Sequence, residues 1–191
     1  MKISLFAASS SLIDDVYFHD ASLLGELIAG EGWEIIFGGG GIGLMGALSD
    51  SALDCGGSVT GVIPDFMKEN GWGHERISRM IVTRTMSARK QKIFDISDAV
   101  IALPGGIGTL EEITEAITLK QLGLFKGPVV LLNTNNFYDP LLSLLDHLIS
   151  NNFMREIHRG IWQVASHPGE AVSMIRNYKG WLDNPQKIAR I

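Results

Sequence analysis

With 191 residues, 46% of them hydrophobic, and 22 glycines, the chain is long enough for one α/β domain with a sizeable buried core. A net charge of −5 argues against a nucleic-acid surface as its main business, yet leaves room for a small anion held by a helix end and one or two cations. No apolar run approaches the roughly 18 residues needed to cross a bilayer, and the single cysteine, Cys55, excludes an internal disulfide and fits a reducing, cytoplasmic setting.

In chain order, apolar runs alternate with helix-period stretches, the pattern of a parallel sheet covered on both faces. The start, MKISLFAASSS, has too short an apolar run for a signal peptide and reads as a strand over Lys2–Ala8. A helix from about Asp14 to Gly30 follows, with Leu23, Leu24, Leu27 and Ile28 on one face. The second strand, Trp33–Phe37, runs into Gly38-Gly39-Gly40-Gly41, and a helix over Leu44–Asp54 stops at Gly56-Gly57. Cys55, in that apolar helical stretch, is expected to be a small core residue.

A third strand, Ser58–Ile63, is closed by Pro64, and the polar stretch from about Asp65 to Arg79 reads as a loop or lid. Next come a short strand at Met80–Thr83, a helix near Ser87–Ile96, a strand at Ala99–Leu103, and a Pro-Gly-Gly turn into a helix over Thr109–Leu122. The remainder predicts a strand at Pro128–Leu132, a helix at Pro140–Ile149, a strand near Trp162–Ala165 and a helix from about Gly169 to Asn177. There is no repeat and no second domain. The expected architecture is a single α/β domain over residues 1–191, a parallel sheet with helices on both faces, its tail from Gly180 frayed or packed on a partner.

Two glycine turns carry the chemistry. Residues Pro104–Glu112, PGGIGTLEE, join a strand to a helix, where free backbone N–H groups and the positive helix end converge into an anion cradle, most often for phosphate. Glu111 and Glu112 are expected in the first helical turn, where a phosphate alone has no use for carboxylates. Thr109 and Glu112 also have the spacing of a capping box, which would explain both through helix stability. The earlier turn, Phe37–Gly46, contains G-x-G-x-x-G at Gly41, Gly43 and Gly46, the fingerprint of a dinucleotide site, with Asp65 near the distance of a ribose-binding acid. It follows the second strand rather than the first, so both turns are better read as meeting at the C-terminal edge of the sheet. Arg89-Lys90, one helix and one strand ahead of the second turn, are either a solvated face or the cations that hold a ligand over the cradle. The five histidines show no metal-ligand spacing.

These residues resemble a known family. Phe37–Gly46 is similar to a YGGGxxGLMG element, Pro104–Glu112 matches a PGGxGTxxE signature, and Met86, Arg89 and Lys90 match an M-x-x-R-K element. Ile117–Gly123 and Asn136–Leu142 are similar too. The family is LOG ("Lonely Guy"), the cytokinin riboside 5′-monophosphate phosphoribohydrolases, some once labelled lysine decarboxylases. The resemblance implies a Rossmann-like domain, working as a homodimer or an assembly of dimers, that hydrolyses the N-glycosidic bond of a nucleoside 5′-monophosphate; no cofactor and no metal are expected. It implies Arg89 and Glu112 as the catalytic pair. Substrate contacts are implied for Gly39, Gly40, Met86, Lys90, Gly105, Gly106, Ile107, Gly108, Thr109, Leu110, Glu111 and Thr118, with Glu69 as a looser match. Ser87-Ala88 stand where the family carries polar side chains, which bears on base preference. Three rivals remain: a non-catalytic binder of a nucleotide or nucleotide-like cofactor, an NAD-dependent oxidoreductase using Gly41-x-Gly43-x-x-Gly46, and a pyridoxal-dependent decarboxylase, for which neither Lys90 nor Lys120 has an evident setting.

Overall fold

The computed structural model describes residues 1–77, 79–182 and 185. Seven strands form one all-parallel sheet: β1 (Lys2–Phe6), β2 (Glu34–Phe37), β3 (Ser58–Pro64), β4 (Arg79–Thr83), β5 (Ala99–Ala102), β6 (Val129–Leu132) and β7 (Gln163–Ala165), in the order β4-β3-β2-β1-β5-β6-β7. The strands are apolar on both faces because both are covered: Ile3, Leu5 and Phe6 of β1, Ile35–Phe37 of β2 and all of β5 and β6 are buried. One layer, α1 (Asp15–Gly30), α2 (Gly43–Asp54) and α7 (Pro168–Arg176), packs Leu24, Ile28, Leu44, Leu48 and Ile175 onto one face. The other, α4 (Met86–Asp95), α5 (Ile107–Gln121) and α6 (Asp139–Ser150), packs Ile93, Phe94, Ile113, Ile117 and Leu145 onto the opposite face. The single parallel-sheet domain that the alternation predicts, Rossmann-like as the resemblance implies, is the fold observed.

β1 is the topological switch. The chain leaves it toward β2, β3 and β4, then crosses back to place β5 on its other side. At such a point the connections on either side diverge, and a crevice opens at the C-terminal strand ends.

Several expectations need correcting. The first strand ends at Phe6 rather than Ala8. The stretch after β3 is not a free lid. It begins with a short helix, α3 (Asp65–Glu69), and is then stitched to the first glycine turn by an antiparallel bridge between Gly40 and Gly73 and by the His74 N–H donating to Gly39 O at 2.8 Å. Arg76 ties it to α2 through Asp50, at 2.6 Å, and Asp54. Cys55 is exposed: α2 ends at Asp54, so the residue after it turns out of the core.

The most consequential shift is at α5, which begins at Ile107 with Gly106 as N-cap, two residues ahead of expectation. Thr109 therefore lies inside the helix and makes no capping bond, and Glu111 and Glu112 fall beyond the first turn. The capping box is not formed, so helix stability no longer accounts for Glu112. In the tail, the Trp181 indole N–H donates to Ile157 O at 3.3 Å. Residues 183–184 and 186–191 of that predicted tail lie outside the described residues.

Candidate active site

A cleft of about 340 Å³ opens at the switch point, lined by Ala7, Ala8 and Ser9 after β1, Met45 of α2, Met67 of α3, Met86 and Arg89 of α4, and Gly106, Ile107, Gly108, Thr109 and Glu112 of α5. Each element contributes for a local reason. The chain turns away after β1 while the Ala8 N–H still donates to Pro104 O at 3.1 Å, which joins the two strand ends. Gly43 closes the α2 side. Its φ of +68° suits a residue without Cβ, and an added Cβ would come within 2.6 Å of the Ser9 backbone.

At the mouth of α5 the first intrahelical bond is from Leu110 N–H to Gly106 O, at 3.1 Å. The N–H groups of Gly106, Ile107, Gly108 and Thr109 therefore have no acceptor among the described residues, as the first four donors of any helix lack intrahelical partners. They face a position favourable for an anion. Gly105 is tightly packed: a Cβ there would collide with the Thr109 side chain, and Thr109 is itself buried.

Beneath this cradle lies a buried ion pair. Arg89 Nη1 donates to Glu112 Oε1 at 2.6 Å, with Arg89 7% and Glu112 8% exposed. Arg89 Nε donates to Val62 O at 3.1 Å, so the guanidinium is held from two sides. Its Nη2 lies where a Cβ on Gly38 would be, and any side chain there would displace it. Burial pushes the Glu112 carboxyl above its ordinary value, while the Arg89 charge and hydrogen bond pull the other way. A carboxylate kept in low dielectric next to a fixed cation is poised to respond to positive charge developing on a ligand.

Of the residues implied by the resemblance, Met86, Arg89, Gly106, Ile107, Gly108, Thr109 and Glu112 come together in this cleft. The others do not line it. Lys90 is paired with Glu111 and, at 2.7 Å, with Glu115, and these carboxylates, Glu111 first, hold its ammonium above the usual lysine value. A Cβ on Gly39 would meet Met80 and Ile63, and one on Gly40 would meet Met45. Glu69 is exposed at the end of α3, and Thr118 is exposed with its hydroxyl donating to Thr114 O at 2.9 Å. Leu110 is half-buried behind the cradle. Asp65 is exposed at the start of α3 and accepts from the Phe66 N–H at 2.8 Å, leaving the dinucleotide fingerprint without its ribose acid in the cleft. Sequence reasoning missed Ala7–Ser9, Met45, Met67 and the backing role of Gly38. Only the small Ala-Ala-Ser run after the first strand and the length of the glycine run hinted at them. Among the described residues no group of three or more His, Cys, Asp or Glu could hold a metal ion.

A doubly wound parallel sheet with its cleft at the switch point, a bare helix N-terminus and a buried Arg–Glu pair define a Rossmann-like protein built around an anion cradle. The comparisons bear on the fold and the family. Residues 45–175 match the family described as "possible lysine decarboxylase". The chain is 37% identical over 178 residues to cytokinin riboside 5′-monophosphate phosphoribohydrolase LOG2 of Arabidopsis thaliana, covering 93% of this chain and 83% of that protein. It is 39% identical over 155 residues to the cytokinin riboside 5′-monophosphate phosphoribohydrolase of Rhodococcoides fascians, covering 81% and 78%. Among solved structures, the molybdenum cofactor binding protein of Rippkaea orientalis superposes with a TM-score of 0.70 at 29% identity, over 92% of this chain and 94% of that one. The chain belongs to the LOG family.

Proposed function

We propose that the chain hydrolyses the N-glycosidic bond of purine or cytokinin nucleoside 5′-monophosphates, AMP-like in form, to a free base and ribose 5-phosphate. The observation that carries this reading is the buried Glu112 carboxylate, 2.6 Å from Arg89, lining the same cleft as the uncommitted N–H groups of α5. The 5′-phosphate would lie on the N–H groups of Gly106–Thr109, fixing the ribose so that its anomeric carbon faces Glu112. As the C1′–N bond breaks, positive charge builds on the ribose and negative charge on the base. Glu112 offsets the first and takes a proton from the attacking water, whose oxygen becomes the hydroxyl on C1′. The proton that Glu112 takes is returned through solvent, and the departing nitrogen gains one in its place, while Arg89 orients ribose or base and offsets the leaving group's charge. No cofactor enters this scheme.

Lys90, Gly39, Gly40, Gly105, Leu110, Glu111, Thr118 and Glu69 lie outside the lining. In this reading they support the walls, or meet substrate from a second copy in a homodimer, whose contact would be the outer face of α4 and α5 with the exposed Met86 and Leu122. The exposed thiol of Cys55 fits a reducing, cytoplasmic compartment.

The second reading, a non-catalytic binder of a nucleotide-like cofactor, has the named function of the Rippkaea orientalis neighbour in its favour. The buried Glu112 weighs against it, because a carboxylate beneath a phosphate cradle repels a purely bound anion unless it has work to do. Incubation of the pure protein with AMP and with N6-substituted adenosine monophosphates, with detection of free base, separates the two. Release of base that falls by roughly 10²-fold or more in Glu112→Gln is expected. Tight nucleotide binding without any base release would overturn the hydrolase reading.

A further inference from the structure

The segment Asn136–Leu142 resembles the family but contributes nothing to the lining of the cleft. It follows β6 at the same edge of the sheet, beside β5, whose end runs into the Pro-Gly-Gly turn. Tyr138 stands at the N-cap of α6 and is 1% exposed. Its hydroxyl reaches the end of β5 and donates to Leu103 O at 2.6 Å. Leu103 is itself fully buried, and among the described residues no backbone N–H donates to that carbonyl. A phenol in a core is costly unless its O–H is paired, and phenylalanine would fill the same space without that cost.

The mounting of Tyr138 is equally specific. Its N–H donates to Asn133 Oδ1 at 2.6 Å, and Asn133 Nδ2 donates to Asp139 Oδ1 at 2.9 Å. Asn135 and Asn136 hold left-handed backbone, with φ of 52° and 59°, which is strained for a residue with a Cβ. Buried Thr134 ties the same loop to α1 through Asp20 at 2.5 Å. On the other side, Pro104 fixes its own φ and offers no N–H, so the turn has few internal bonds to hold its direction. Pro104 O accepts from the Ala8 N–H at 3.1 Å on the β1 flank, and Tyr138 holds Leu103 O from the β6 flank. Two adjacent carbonyls are thus fixed from opposite sides just ahead of Gly106, the N-cap of α5.

We propose that Tyr138 is a positioning residue for the anion cradle: by clamping Leu103 O, it sets the angle at which the Pro-Gly-Gly turn delivers the N–H groups of Gly106–Thr109 to a phosphate. The role rests on the cradle holding the 5′-phosphate, as in the functional reading, and is indifferent to whether the glycosidic bond is then broken. Without the hydroxyl, Leu103 O is left buried and unpaired, and the empty turn relaxes toward water. Phosphate binding must then pull the turn back, so the cost falls on affinity for phosphorylated ligands alone.

The test is Tyr138→Phe in the Glu112→Gln background, where slow turnover leaves binding measurable, with AMP and adenosine titrated calorimetrically. AMP affinity should fall about tenfold, the scale of one buried carbonyl losing its donor, while adenosine affinity stays within about twofold. The ratio of the two affinities is the readout, since a merely structural role lowers both together or neither. An unchanged ratio in folded Tyr138→Phe would overturn the proposal. Should that variant not fold, Asn133→Ala loosens the same clamp at its mount with the phenol retained, and an unchanged ratio there overturns it equally. Equal affinity for AMP and adenosine before Tyr138 is altered would remove the cradle itself and the proposal with it, whereas base release from AMP, measured separately, judges the hydrolase reading.

Discussion

At Glu112 two effects compete: burial disfavours the carboxylate and prevails, and the guanidinium at 2.6 Å offsets part of it. Glu112→Gln keeps size and shape but removes the charge and the basic oxygen, so it should retain AMP binding and lose roughly 10²-fold or more in kcat, the usual scale for a positioned base. Near-normal turnover in that variant would leave Glu112 without a chemical role. The same residue predicts the pH profile. Only the ionised form can act, and its pKa is raised from 4.5, so the acid limb of kcat/KM should lie above that value and disappear in the Gln variant. Gly38 is the complementary probe, because its Cβ would occupy the position of Arg89 Nη2. Gly38→Ala should therefore lower kcat by about tenfold or more, since small misplacements of a catalytic group are costly. Its melting temperature should fall far less than a lost core side chain would cause; a variant that folds and turns over normally would free Arg89 from this position.

At the scale of elements, the strands and helices were legible because each has a clear period, from the buried run Val129–Leu132 to the apolar stripe of α1. What escaped was short or set by distant contacts. α3 has five residues, too few for a 3.6 period to show, and it brings Met67 to the cleft. The start of α5 was misplaced because Thr109 and Glu112 have capping-box spacing, whereas Gly106, the N-cap found, has no side chain to announce it. The pairing of Arg89 with Glu112 follows from α4 and α5 lying side by side on one face of the sheet, and Lys120 meets Tyr178 only through the chain end, so neither contact is local in sequence. α4, by contrast, carries its cap openly: Thr85 Oγ1 accepts from the Ala88 N–H at 3.0 Å. Thr85→Ala should cost about 1 kcal/mol in denaturant unfolding. Because α4 positions Arg89, turnover should fall with it; a loss of stability with turnover untouched would show that α4 is held by packing alone.

For the molecule as a whole, the cleft joins parts that no single element could bring together: Arg89 from α4, its support Val62 O from β3, Glu112 from α5 and the Ala7–Ser9 turn after β1. Ligand binding should thus stabilise the entire domain rather than one lobe, since both helical layers share the sheet on which the cleft stands. In Glu112→Gln, where AMP survives, nucleotide at about 100 times its Kd contributes about 2.7 kcal/mol to the folded state. For a domain of this size that corresponds to a rise in Tm of roughly 5–10 °C in a single transition. Adenosine has the same base and sugar but nothing for the N–H groups of Gly106–Thr109 to hold, so at the same concentration it should shift Tm by far less. The comparison isolates the cradle, because ribose and purine contacts cancel between the two ligands. An equal shift by adenosine would remove the phosphate from recognition, and with it the reason for the Pro-Gly-Gly turn to end at a helix N-terminus.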